Sequence, residues 1–207
     1  MSMPKADRIP LFPLSLVLFP QEVLPLHIFE TRYKELVNFC LSEETPFGIV
    51  GMDGDRMEVV GCTARIRSVV REYDDETFDI ETVGETRFRL NAVYNDQSYD
   101  TADVTVIEDR DVPVATTERE RLVAQHMKLM ELLGERIRPN SYAEEHFLSF
   151  RIGAASGLDF AQRQQLLEID SEAARISQLV KHLKGFIPRV KSVKERRERI
   201  QSNGHFS

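Results

Sequence analysis

The chain has 207 residues, 42% of them hydrophobic and 29% charged, which is enough apolar material for one large core or two small ones and excludes global disorder. Its net charge of −7 is split unevenly: residues 1–112 carry 11 basic against 22 acidic side chains, and residues 113–207 carry 16 against 12. The acidic first part is a poor electrostatic match for a phosphate backbone, and the asymmetry predicts two domains, 1–112 and 113–207.

Short apolar runs alternate with prolines from Ile9 to Ile28. Proline cannot donate to a central ladder, so these runs predict short edge strands and bends at the rim of a sheet or barrel. The same prolines, Pro10, Pro13 and Pro20, exclude a helical signal-peptide core in the stretch Leu11 to Pro20. No run reaches the roughly 18 apolar residues that span a bilayer, and the expected location is cytoplasmic, with no membrane partner. Phe29, Tyr33, Leu36, Val37 and Cys40 then recur at helical spacing and predict one short amphipathic helix over about residues 30–42. Phe47 to Met52 reads as a buried strand that ends in the turn Asp53-Gly54-Asp55. Val59 to Glu72 and Phe78 to Val93 alternate as two long strands joined by the polar turn Tyr73 to Thr77, with Gly84 marking a bulge or bend in the second. Tyr99 to Ile107 adds another strand. One short helix among several strands predicts a small, highly coiled sheet or barrel.

After Pro113 the period becomes helical. Thr117 is placed to cap a helix with the stripe Leu122, His126, Leu129, Leu133 and Ile137, broken at Pro139-Asn140. A second helix is predicted from Tyr142 to Ser156 with Gly157 behind it, and a third behind Asp159. A fourth opens at Ser171-Glu172 and is closed by Gly185 and Pro188. The fold class is therefore α+β, a β-rich domain followed by four helices that form a compact bundle or a helical cap on the sheet.

Catalytic signatures are missing. There is no Gly-Lys dipeptide to build a phosphate-cradling loop, and Gly48, Gly51 and Gly54 do not open a helix. His27, His126, His146, His182 and His205 show no metal-ligand spacing. No G-x-S-x-G elbow occurs, and the S-x-x-K match at Ser2 to Lys5 crosses a proline. Cys40 and Cys62 sit in apolar contexts as two buried free thiols, which fits a reducing compartment. The expectation is a protein with no cofactor, no metal and no enzymatic activity. The tail from Lys181 to Arg199 is strongly basic but lacks the interleaved aromatics that stack on bases.

One string is specific. Ile9-Pro10-Leu11-Phe12-Pro13-Leu14, Val17-Leu18-Phe19-Pro20 and Leu24-Pro25-Leu26-His27-Ile28-Phe29-Glu30-Thr31-Arg32-Tyr33, followed by Phe47-Gly48-Ile49-Val50, Val60-Gly61-Cys62-Thr63-Ala64, Gly84-Glu85-Thr86-Arg87-Phe88 and Gln165-Leu166-Leu167-Glu168-Ile169-Asp170, closely resemble the N-terminal, substrate-binding domain of the ATP-dependent protease Lon. The resemblance covers roughly residues 8–185. It implies a β pseudobarrel related to the PUA fold followed by a helical subdomain, in a stand-alone member lacking the ATPase and peptidase domains. The hairpin Tyr73-Asp74-Asp75-Glu76 departs from the Pro-Asp-Gly-type turn often found there, which leaves its geometry open. The resemblance also implies that the partner is an unfolded or flexible polypeptide, or another protein. Nucleic acid is the alternative, through the PUA-like fold and the basic tail, and a homodimer is left open.

Met52 and Met57, flanking a polar turn, are the first candidate peptide contacts, because methionine suits loosely specific recognition. Phe19, Tyr94 and Tyr99 are further candidates as rim aromatics. Phe29 and Tyr33 are assigned to the buried face of the short helix. Glu30, Arg32 and Arg87 are assigned to a polar clasp between that helix and the sheet.

Overall fold

In the computed structural model, which describes residues 8–135, 142 and 147–203, the alternating first half forms six strands and one helix. These are β1 (Ile9–Leu14), β2 (Val23–Ile28), α1 (Thr31–Ser42), β3 (Phe47–Asp53), β4 (Arg56–Glu72), β5 (Phe78–Tyr94) and β6 (Thr101–Val106). Pairing runs β2-β5-β4-β3-β1-β6 and returns from β6 to β5. Five strands thus make a closed circuit, and β2 extends it by lying against the first half of β5. That circuit is the part of the barrel expectation the pairing bears out.

β1 is not an edge strand, contrary to the reading of its prolines: it lies between β3, to which it runs parallel, and β6. The position of each proline explains the tolerance. The Leu11 amide donates toward the β6 side, to the Asp100 carbonyl, so Pro13, of the same parity, faces that side. There the β6 register covers Ile9 and Pro10 alone. Pro10 faces the β3 side, where pairing begins at Leu11. Neither missing N–H falls where a ladder bond is required.

Two apolar clusters lie on the two faces of the strands. One gathers Phe12, Ile28, Phe47, Ile49, Cys62, Ala64, Phe78 and Ile80 with the helical stripe Tyr33, Leu36, Val37 and Cys40 of α1. The other gathers Ile9, Leu11, Val50, Phe88 and Ala102. Gly48 and Gly61 make room for the Phe88 ring, which a Cβ at either position would meet at 2.9 or 2.6 Å.

The helical part contains α2 (Thr116–Leu133), α3 (Leu148–Ala154), α4 (Phe160–Glu168) and α5 (Glu172–Asn203). α2 starts one residue before the expected cap Thr117; its N-cap is Ala115, with no side-chain cap bond. α3 stops at Ala154, with Gly157 in a left-handed turn three residues later. α5 does not end at Gly185 and Pro188 but runs through both. Its apolar stripe explains this: Ile176, Leu179, Val180, Leu183 and Ile187 are all buried, and α5 packs along α2, so tertiary burial outweighs the cost of roughly 3 kcal/mol for an internal proline. Ile137, the Pro139-Asn140 break, the start of the second predicted helix after Tyr142, His146, His205 and the pair Ser2 and Lys5 lie outside the described residues.

By its contacts the chain divides into two compact units, one holding the residues up to Asp109 with Leu158–Asp170, the other Arg110–Gly157 with Ser171 onward. A single boundary at 112/113, as the change of period and charge predicts, would leave α4 in the helical part. Three contacts instead tie α4 to the first unit: Arg163 donates to the Val17 carbonyl of the β1–β2 loop at 2.8 Å, Gln164 donates to the Val60 carbonyl of β4 at 3.1 Å, and the Phe160 ring fills the space over Gly51 of β3. In the second unit Arg175 is fully buried, with the Ser149 hydroxyl at 2.9 Å, Glu172 at 2.8 Å and the Phe150 ring at 4.3 Å. Among the described residues no helix is long and apolar enough to cross a membrane.

Candidate functional site

β2 carries an alternation that the sequence reading passes over. Leu24, Leu26 and Ile28 turn toward the core, while Val23, Pro25 and His27 face solvent. Phe29, the next residue of that parity, is 61% exposed, and Val23 is 46% exposed. The Phe29 ring stacks on His27 with centroids 6.0 Å apart and an interplanar angle of 24°. This corrects the assignment of Phe29 to the buried face of α1: the helix starts at Thr31, so Phe29 still follows the parity of the strand before it. Six residues of strand make an outward strip about 20 Å long.

The neighbouring strands complete the surface. Val23 pairs with Val83, Pro25 with Glu81 and His27 with Asp79. His27 Nδ1 lies 2.7 Å from Asp79 Oδ1, and the Tyr73 hydroxyl donates to Asp79 Oδ2 at 2.8 Å. The Tyr73 ring stands edge-on to His27, centroids 5.9 Å apart, and the Arg71 guanidinium lies over Tyr73 at 4.6 Å. Hydrogen bonds from His27 and then from Tyr73 hold the Asp79 carboxyl below its ordinary pKa, and donation to Asp79 raises that of the Tyr73 hydroxyl. The β4–β5 turn, left open by the sequence, closes with Tyr73 N–H to the Thr77 carbonyl, Glu76 N–H to the Tyr73 carbonyl, and Glu76 at a φ of 63°.

β2 pairs with β5 alone. The Gly84 amide donates to the Glu22 carbonyl, so even-numbered residues turn their backbone groups toward β5 and the groups of Val23, Pro25 and His27 point to the open edge. Pro25 removes one donor there, a device that discourages strand addition. The surface is thus suited to side-chain contact.

Two of the sequence candidates for peptide contact are buried. Phe19 is completely enclosed, with the Arg163 guanidinium 4.2 Å from its ring centroid, and Tyr99 is packed in the α1 cluster. Prolines and turns around them read as surface, but α4 covers the first and α1 the second. Tyr94 is half-buried, its hydroxyl bonded to Asp103 at 2.8 Å and its ring under Arg8 at 3.6 Å. Met52 and Met57 are brought together as cross-strand partners, both half-buried, and Met57 packs against the Phe88 cluster. A charge at Met57 would therefore unsettle a packed core. The proposed clasp does not form either. Glu30 pairs with Arg32 at 2.8 Å, whereas buried Arg87 donates to the carbonyls of Leu167 and Ile169 at 2.7 and 2.8 Å and to Asp109 at 2.5 Å. Arg87 anchors the end of α4 instead. Tyr33 is buried as expected.

Among the described residues no Ser, Thr or Cys side chain hydrogen-bonds to His27, and no cluster of His, Cys, Asp or Glu is arranged to hold a metal. Burial pushes the Cys40 thiol up to about 12 and raises that of Cys62, which favours the protonated form of each.

Residues 8–185 match the model of the ATP-dependent protease La (LON) substrate-binding domain. The chain belongs to that family. A Lon protease from Parabacteroides distasonis is 28% identical over 142 residues, which is 64% of this chain and 17% of the relative. The chain therefore spans about a sixth of that protein's length. Among solved structures, a Lon N-terminal domain protein from Xanthomonas campestris superposes with a TM-score of 0.70 at 24% identity, over 84% of this chain and 98% of that one. The N-terminal domain of a Mycobacterium avium complex Lon protease gives 0.62 at 17% identity, over 86% and 98%. These two likenesses show a shared fold. The LON-family match covers the binding domain, and no catalytic domain lies within it.

Proposed function

We propose that this protein is a non-catalytic module that binds unfolded or flexible polypeptide segments, using the strip Val23, Pro25, His27 and Phe29. Membership in a substrate-binding family makes polypeptide the fitting class of partner. The observation that carries the reading is Phe29, a large aromatic ring 61% exposed and held in place by its stack on His27. An aromatic side chain fixed at a surface supplies contact area with little ordering cost. The two buried thiols suit a reducing, cytoplasmic setting.

The test is the affinity of the full chain for a permanently unfolded, reduced and alkylated polypeptide, measured by fluorescence anisotropy. Val23→Ser with Phe29→Ser should weaken binding about tenfold or more, since it removes two exposed apolar contacts, and should leave the melting temperature almost unchanged. A double variant that binds as tightly as the parent contradicts the assignment. The alternative, RNA binding by the exposed basic side chains Lys191, Arg196, Arg197 and Arg199 of α5, predicts a salt-dependent gel shift that this double substitution does not alter.

A further inference from the structure

If the strip is a polypeptide-binding face, the charges around it select what it holds. Phe29 lies one residue beyond Ile28, whose strand partner is Phe78, itself the partner of Glu72. The β4–β5 hairpin is therefore the neighbour of the Phe29 end, as the His27–Tyr73 ring contact also shows. That hairpin exposes Glu72, Asp74, Asp75 and Glu76. Among the described residues the carboxylates of Glu72, Asp74 and Glu76 have no hydrogen bond or ion pair. The cations at this end, Arg71 over Tyr73, Lys34 donating to the Asp75 carbonyl at 3.0 Å and Arg32 paired with Glu30 at 2.8 Å, keep their charge but are outnumbered by the carboxylates of Glu30, Asp74, Asp75, Glu76 and Asp79. The aromatic groups have the complementary preference. Guanidinium groups of the chain itself sit on Tyr73 and Tyr33, each 4.6 Å from the ring centroid, while Phe29 exposes a ring of the same kind. Beyond this end, residues 1–112 hold 22 acidic against 11 basic side chains, so the wider field has the same sign.

We propose that this face prefers segments in which apolar residues are interspersed with arginine or lysine, the apolar groups resting on Val23, Pro25 and Phe29 and the cations reaching the hairpin carboxylates and the Phe29 ring. Acidic segments meet repulsion at the same place. This deepens the polypeptide-binding reading and rests on it, but the two can fail separately.

Three unfolded peptides of equal length and equal leucine content, carrying arginine, serine or glutamate at the remaining positions, are titrated against the full chain and against Asp74→Asn/Glu76→Gln. These two carboxylates lie outside the apolar strip and bond to nothing in the fold. At low salt the arginine peptide should bind about fivefold more tightly than the serine peptide, and the glutamate peptide about fivefold more weakly. The gap should close as ionic strength approaches 1 M. The double variant should lose most of the arginine preference while holding the serine peptide unchanged. Equal affinities for the three peptides, or a double variant that keeps the preference, overturn the charge selection and leave the binding face standing. Failure of all three to bind overturns both.

Discussion

An ideal Cβ at Gly84 would lie 2.1 Å from the Phe19 carbonyl oxygen and 3.2 Å from a Leu18 side-chain carbon. Glycine is required here because β5 passes directly under the loop that leads into β2, with Gly84 N–H donating to Glu22 and its carbonyl accepting from Gln21. Gly84→Ala must push backbone against backbone, and it should cost roughly 3 kcal/mol in chemical denaturation; a loss below about 0.5 kcal/mol would show that the loop yields freely. The same residue is legible in the sequence, because a glycine inside a long alternating strand signals a bend or a close approach. Phe29 is less legible. It fits the helical spacing of Tyr33, Leu36 and Cys40 and also the strand spacing of Val23, Pro25 and His27, and sequence alone offers nothing to choose between the two periods. Helix α1 starting at Thr31 decides it. Arg87 illustrates a different limit: its partners Leu167 and Ile169 lie 80 and 82 residues away, beyond what local pattern can pair.

At the scale of elements, α4 is specified by local chemistry and placed by distant chemistry. Asp159 accepts from the Gln162 amide at 2.9 Å while the Gln162 side chain accepts from the Asp159 amide at 3.1 Å, a reciprocal capping box. Asp159→Ala should lower stability by about 1 kcal/mol, read from the denaturation midpoint, and Asp159→Ser should recover most of it. An unaffected midpoint in the alanine variant would mean that the contacts of Arg163 and Gln164 alone hold the helix. Asp159 was visible in the sequence as a cap, but nothing local reveals that the helix it starts lies on strands laid down over a hundred residues earlier. α5 shows the reverse case. Gly185 and Pro188 are genuine stop signals, yet the apolar spacing from Leu183 to Ile187 carries the helix through them.

For the whole molecule, the period changes from alternating to helical near Pro113, shortly before α2 begins at Thr116, and the string from Ile9 to Tyr33 resembles the family whose model the chain matches. What periodicity does not encode is the return of the chain at Leu158–Asp170 to the first unit, since that depends on long-range contacts. Charge asymmetry, by contrast, is readable in the sequence, and the hairpin beside Phe29 exposes Glu72, Asp74, Asp75 and Glu76. The central claim is that residues 23–29 hold polypeptide. It is tested most directly by adding a reduced, alkylated unfolded polypeptide to the isotope-labelled full chain and mapping amide chemical-shift changes. The account predicts shifts concentrated at Val23, Leu24, Leu26, His27, Ile28 and Phe29 and at the 71–79 hairpin. Shifts confined to α2 and α5, with residues 23–29 unmoved, would contradict it.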